Sequence, residues 1–243
     1  MKPDLIFAHT SFLGHTGYAN HSREFFTELN KSIPVRVRNF SHVKDISYLT
    51  QEQQDMIVEQ TWSEPPYRVG TPLDFYKYRN VLNIVLNETH HYFFYDKYSG
   101  PKIAYNVWES TRQPEEYFKK ILEYDQFWVP TEWQRTVTIE QGYPHEKIKI
   151  VPEGIDPNIF KPIEKTNTKT PFKFLLFGRW DYRKSIKEIV ETFINTFGKN
   201  EDVRLVINVD NPFPVDGMNS TEERLAHFGW LDDPRLEIVH FLP

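Results

Sequence analysis

The stretch FKFLLFGRWDYRKSIKEIVETFINTF, residues 172–197, decides the fold class. Phe172 to Phe177 is a short apolar run of strand length with no room for a helix. Gly178 to Lys184 reads as a loop. From Ser185 to Phe197, residues Ile186, Ile189, Val190, Phe193, Ile194 and Phe197 fall on one stripe of a 3.6-residue period, and Gly198 ends the helix. A strand that turns over a glycine into an amphipathic helix is half of a parallel crossover unit.

The same grammar opens the chain. Leu5 to Ala8 reads as a strand, a loop with Gly14 and Gly17 follows, and Tyr18 to Lys31 reads as a helix. Between the two units, strands are expected at Pro34–Phe40 (edge-ward), Val81–Leu86, Lys102–Trp108, Gln126–Val129 and Lys147–Val151. Helices are expected at Gln51–Gln60, with Thr50 and Gln53 as a capping box, at Pro114–Glu123, and from Thr131 with Gln134 three residues on. After the second helix come strands at Val203–Val209 and Leu236–Leu242 and a short helix capped by Ser220 and Glu223. The expected architecture is α/β, two Rossmann-like domains facing a cleft. The first spans 1–165, with a Pro-, Lys- and Thr-rich linker at about 152–171, and the second spans 172–243. Three strands are about half of a doubly wound sheet, so the second domain reads as incomplete.

Composition removes several function classes. With 29 basic and 34 acidic residues the net charge is −5, so no basic surplus points to nucleic acid. There is no cysteine, which excludes disulfides, thiolate catalysis and Cys-ligated zinc. No apolar run reaches membrane-spanning length, and the N-terminus does not read as a signal peptide, so the expected location is cytoplasmic, or peripheral at a membrane.

The loop at 178–185 carries the most chemistry. It joins a strand to a helix N-terminus, where free N–H groups favour anions. Arg179 can fork onto phosphate oxygens and Lys184 adds a point charge, with Ser185 and Glu188 as a capping box. An ordinary solvated turn, its cations paired with Asp181, fits the same spacing. The string from Phe174 to Ser185 resembles the donor-site segment of GT-B glycosyltransferases of family 4, in which a Gly-Arg precedes a Lys-Gly and a helix. The run from Phe127-Trp-Val-Pro-Thr-Glu-Trp-Gln134 through Gly142-Tyr-Pro144 to Lys147-Ile-Lys-Ile-Val-Pro-Glu-Gly-Ile-Asp156 and Phe160-Lys-Pro162 resembles the end of that family's acceptor domain. Gly14-His-Thr-Gly17-Tyr18 resembles its first strand-to-helix loop. The likeness covers most of the chain, is weak over 32–80 and most specific over 126–184.

This resemblance implies transfer of a sugar from a nucleotide-diphosphate sugar to a glycan, lipid-linked or protein acceptor, with retention of configuration. Gly17, Gly178, Arg179 and Lys184 would bind the nucleotide-sugar co-substrate, the two cations steadying the departing diphosphate. No metal or other cofactor is expected, since no Asp-x-Asp is present. Lys184-Ser185 stands where the family has Lys-Gly, and serine suits an N-cap. Glu109, read as following the strand that ends at Trp108, would touch the sugar or the acceptor hydroxyl as the catalytic carboxylate. A salt bridge to Arg112 is the plain alternative. His90 and His91 point to opposite faces of an extended segment and do not make a metal pair. The basic set Lys31, Arg36, Arg38, His42 and Lys44 fits an anionic acceptor, a lipid surface or, most simply, a solvated strand face. The aromatic run Tyr92, Phe93, Phe94, Tyr95, Tyr98 fits sugar stacking or core packing. Glu222 and Glu223 do not match the family's donor-sugar glutamates, so the donor site reads as truncated. The alternative is a non-catalytic glycan- or partner-binding module, self-associating or completed by another chain.

Overall fold

The computed structural model describes residues 2–61, 68–87, 100–162, 171–211 and 213–240. The chain divides into two compact units, Met1–Phe160 and Lys161–Pro243. His90, His91 and the aromatic run 92–98 lie outside the described residues.

The first unit runs β1 (Leu5–Thr10), α1 (Gly17–Asn30), β2 (Val35–Asn39), α2 (Gln51–Met56), β3 (Gln60–Thr61), β4 (Arg68–Val69), β5 (Val81–Leu86), β6 (Lys102–Tyr105), α3 (Glu115–Ile121), β7 (Gln126–Val129), α4 (Glu132–Glu140) and β8 (Ile148–Ile150). Its six-stranded sheet is parallel throughout, in the order β2-β1-β5-β6-β7-β8. All six residues of β1 are buried, as expected of a central strand covered on both faces. Ile6, Ala8, Val35, Val37, Ile84, Leu86, Ile103 and Tyr105 pack on one core with Phe26 of α1. Val85, Ala104, Phe127, Val129 and Ile148 build a second with Ile121 and Tyr143. Strand order reverses between β1 and β5, so the loop after β1 opens at the switch point where open α/β sheets bind ligands.

The helix expected to reach Gln60 stops at Met56, although its Thr50–Gln53 capping box forms. Ile57 turns extended and makes a parallel bridge to Val37, and the Val58 amide donates to the Val37 carbonyl at 2.8 Å. The β-branched pair gains more by covering the β2 edge than by another helical turn, and Ile57 becomes fully buried.

The second unit runs β9 (Phe172–Arg179), α5 (Ile186–Thr196), β10 (Val203–Asp210), α6 (Thr221–His227) and β11 (Leu236–Ile238). The sheet is parallel, ordered β11-β10-β9. The last strand is shorter than the Leu236–Leu242 expected; Val239 and His240 are outside it, and 241–242 are not among the described residues. Leu176, Leu205, Ile207 and Val209 pack with Ile186, Val190 and Phe193 of α5 and Leu225 of α6. Ile189, placed on the same stripe, is 40% exposed. The opposite sheet face is open among the described residues: Leu175 and Phe177 are 66% and 71% exposed, and Lys173 reaches across to Glu237 at 2.7 Å.

Candidate functional site

In the first unit, parallel strands bring every β-to-α loop to one edge of the sheet. The loop after β1 is held from below by Arg23, 8% exposed, which donates to the Phe12 and Gly14 carbonyls at 2.8 and 2.7 Å. Its guanidinium lies 5.3 Å from the Tyr48 ring, whose hydroxyl accepts the Gly14 N–H at 2.6 Å. Thr16 caps α1 by accepting the Ala19 N–H at 3.2 Å, which makes Gly17 the first helical residue. A Cβ at Gly17 would meet nothing within 4 Å, so this glycine answers no internal packing demand and leaves open space for close approach.

Glu109 is not at a strand end. β6 stops at Tyr105, and Glu109 sits four residues on, exposed in the loop. The Asn106 N–H still donates to the Trp128 carbonyl at 3.4 Å, and beyond it side chains take over the backbone groups. The Tyr18 hydroxyl donates to the Val107 carbonyl at 3.0 Å and accepts the Val107 N–H at 3.2 Å. The Gln134 Oε1 accepts the Trp108 N–H at 3.1 Å. Tyr18 follows Gly17 directly, so the first turn of α1 and the loop that holds Glu109 meet through one hydroxyl. One turn along α1, His21 Nδ1 lies 2.9 Å from Glu153 Oε1, and its ring meets the Tyr105 ring edge-on at 5.0 Å. Burial pulls the His21 pKa below its ordinary value while Glu153 pulls it back up. Sequence reading misses this pair. The signal for it is the spacing of Tyr18, His21 and Phe25, which share a helix face.

The basic set at 31–44 divides. Arg36 is taken up by structure: it donates to the Met56 carbonyl at 3.2 Å and to Thr71 O and Oγ1 at 2.7 Å. Lys31 pairs with Glu28 at 2.6 Å. Arg38, lying 5.4 Å from the Phe40 ring, and His42 remain exposed.

In the second unit, Gly178 and Arg179 are the last two residues of β9 rather than the start of a loop. The strand runs on because Val209 and Asp210 of β10 are there to pair with them. Gly178 has φ +131°, a conformation that favours glycine, and a Cβ added there would meet nothing within 4 Å. Arg179 Nε donates to Asp181 Oδ2 at 2.9 Å, and the Lys184 N–H donates to Asp181 Oδ1 at 3.0 Å. Asp181 therefore organises the turn, and Arg179 beside it holds its carboxyl below the usual range. The plain reading of the loop is thus partly right. The two terminal amino groups of Arg179 and the Lys184 ammonium make no bond among the described residues, and both side chains are exposed. Beneath them Trp180, 5% exposed, lies 5.8 Å from the buried Arg224 guanidinium, and Asn211 Nδ2 donates to the Trp180 carbonyl at 2.7 Å.

Ser185 does not cap α5. It has φ +50° and ψ +36°, and its side chain makes no capping bond. Asp181 caps the preceding 3₁₀ turn instead, and the chain enters the helix through a left-handed residue. That conformation costs a non-glycine residue about 1–2 kcal/mol, so the Lys184-Ser185 departure is not a neutral exchange. Ser185→Gly is expected to stabilise the protein by about 0.5–1 kcal/mol after glycine's larger unfolded-state entropy is deducted. Chemical denaturation followed through the tryptophans checks this; an unchanged or lowered midpoint contradicts it.

Among the described residues no group of three or more His, Asp or Glu side chains is arranged to hold a metal, and no helix is long and apolar enough to cross a membrane. No protein-family model matches the chain, and no curated protein sequence does. Solved structures do match. The Anabaena HepE protein, solved in complex with UDP, superposes with a TM-score of 0.68 at 11% identity over 98% of this chain and 69% of that one. The lipopolysaccharide outer core galactosyltransferase WaaB, in its apo form, superposes with a TM-score of 0.58 at 11% identity over 98% and 68%. The fold is GT-B-like. At this identity the likeness speaks for the fold alone, an α/β architecture with parallel sheets.

Proposed function

We propose that the chain is a glycosyltransferase that transfers a sugar from a nucleotide-diphosphate sugar to a hydroxyl acceptor with retention of configuration, as in family 4. The observation that carries the reading is the end of β9. There Arg179, anchored through Nε, offers two amino groups, and Lys184 an ammonium, that are unpaired among the described residues, in a fold shared with a protein solved with UDP bound. A planar guanidinium held by one nitrogen keeps an edge for bidentate contact with a diphosphate. As the glycosidic bond breaks, negative charge grows on the leaving diphosphate, and fixed cations stabilise that state more than the ground state. Gly178 lets the diphosphate approach the backbone, Gly17 opens the loop after β1, and Glu109 supplies a carboxylate to the sugar or acceptor hydroxyl. No metal is assigned a role. The β9 edge, free among the described residues, together with coverage of 69% and 68% of the two solved neighbours, supports a donor site that further residues complete, in this polypeptide or a partner. Calorimetry with UDP and turnover with a panel of nucleotide sugars and simple glycosides test the reading. Absence of binding by any nucleotide or nucleotide sugar at millimolar concentration contradicts it.

A second reading rests on the open sheet face. Leu175 and Phe177, exposed on a strand whose outer edge is unpaired among the described residues, favour a partner-binding module that self-associates. Light scattering on a sizing column separates the readings: a monomer that turns over donor rejects the module.

A further inference from the structure

The loop from Asn106 to Gln113 is held at both of its ends by amide side chains of one helix. At its start Gln134, 1% exposed in the first turn of α4, spends its whole amide on the loop. Its Oε1 accepts the Trp108 N–H at 3.1 Å, and its Nε2 donates to Asn106 O and Oδ1 at 3.2 and 2.9 Å. At the loop's end Gln141, the C-cap of the same helix, makes a two-way pair with the Gln113 backbone, accepting N–H and donating to the carbonyl, both at 2.8 Å. The two glutamines are two helical turns apart, about 10 Å along one face. Tyr18 brackets Val107 from the other side. Between the anchors the Trp108 indole N–H donates to Ser110 Oγ and to the Arg112 carbonyl, each at 3.1 Å, and the Ser110 hydroxyl donates to the same carbonyl at 2.9 Å. The loop thus folds on itself with Glu109 at its exposed crest.

We infer that Gln134, with Tyr18, is a positioning residue: it fixes the Trp108–Glu109 backbone so that the carboxylate is presented to the reacting sugar in one place. The inference rests on the glycosyltransferase reading and assigns that site a supporting shell. Ordering and burying a long polar side chain is costly in entropy and desolvation, and an apolar residue would fill the space at less cost. What the amide provides that an apolar residue does not is a fixed register for two backbone groups and the Asn106 side chain beside an exposed acid. Chemical groups must be held to within a fraction of an ångström by their surroundings to act.

The test compares wild type, Glu109→Gln, Gln134→Met and Tyr18→Phe, the last deleting a single oxygen should the methionine variant fold poorly. Two quantities are read: amide hydrogen exchange at Val107, Trp108 and Gln113, and steady-state nucleoside diphosphate release from the nucleotide-sugar panel with glycoside acceptors. The expected result is exchange at Trp108 accelerated about tenfold in Gln134→Met, and at Val107 in Tyr18→Phe. With it comes a kcat lowered by roughly 100-fold toward the Glu109→Gln level, with KM for the nucleotide sugar unchanged. A purely structural clamp would lower thermal stability and leave kcat at permissive temperature alone. Preserved kcat in both loosened variants, while Glu109→Gln is impaired, overturns the inference and leaves the enzyme reading standing. Rapid exchange at Val107 and Trp108 in the wild type also overturns it. No turnover by the wild type with protected amides rejects the enzyme reading, and the positioning role with it.

Discussion

Arg179→Ala is expected, on the function proposed above, to weaken nucleoside diphosphate binding by roughly 10- to 100-fold, the equivalent of losing a charge-assisted contact of about 1.5–3 kcal/mol. The effect is large because the guanidinium is already oriented. Asp181 takes only its Nε, at 2.9 Å, and Asp181 is itself fixed by the Lys184 N–H at 3.0 Å. Little side-chain entropy remains to be lost when the diphosphate arrives, which is the advantage of preorganisation. Arg179→Lys retains the charge and loses the fork, so it should recover only part of the binding. Asp181→Asn is the informative companion. If Asp181 merely neutralised the arginine, removing its charge would tighten binding; if it aims the arginine, binding should weaken. Titration calorimetry with UDP reads all three. Equal affinity for wild type and Arg179→Ala removes the end of β9 from the nucleotide site.

The second large effect concerns acid. His9 is 1% exposed on β1, with Nε2 3.5 Å from Asn83 Oδ1. Burial, reinforced slightly by the charge of Arg38 and opposed by the Asn83 bond, pushes its pKa down to about 3. The Phe7 and Phe40 rings lie beside it, at 4.3 and 6.2 Å between centroids, and offer an imidazolium little solvation. In the unfolded chain the same group titrates near 6.5, so below that pH the unfolded state binds the extra proton. Stability is therefore undiminished by His9 above about pH 6.5 and falls as pH drops toward 3. At pH 4 the loss from this group alone is about 3 kcal/mol. His9→Gln keeps a hydrogen-bonding group beside Asn83 and cannot take up the proton. Between pH 7 and pH 4 the wild type should lose about 3 kcal/mol more stability than the variant. Parallel losses would mean that His9 is not the buried neutral group described above.

The fold is legible in the sequence where one residue type does one job. The α5 stripe of Ile186, Val190 and Phe193 gives the helix its buried face, and the apolar run Val81–Leu86 forms β5 with the bounds expected. Local rules fail where a residue has a tertiary partner that they do not contain. Spacing makes Gln134 the reciprocal member of a capping box. Its backbone N–H does bond Thr131 Oγ1 at 3.1 Å, yet its side chain leaves the helix for Asn106 and Trp108. Composition carries β6 through Trp108, because Tyr105 to Trp108 suits a strand; past the Asn106 N–H, which still reaches the Trp128 carbonyl of β7, the backbone is satisfied by α1 and α4 instead of by a neighbouring strand. Serine favours the capping role at 185, where the turn imposed by Asp181 demands a positive φ. Within the candidate site, the residues legible in the sequence are surface cations, glycines and an acid. Those it hides are the buried and half-buried polar groups that carry them, whose partners lie from 9 to 89 residues away along the chain.

Holding a loop by its two feet separates the scaffold from the cargo. The bonds from Gln134, Gln141 and Tyr18 described above go to backbone groups of residues 106–108 and 113 and to the Asn106 side chain, and none of them goes to the side chains at 109, 111 and 112. Those three positions form a cassette: they can be exchanged for other chemistries while these bonds hold the frame, without refolding the sheet below.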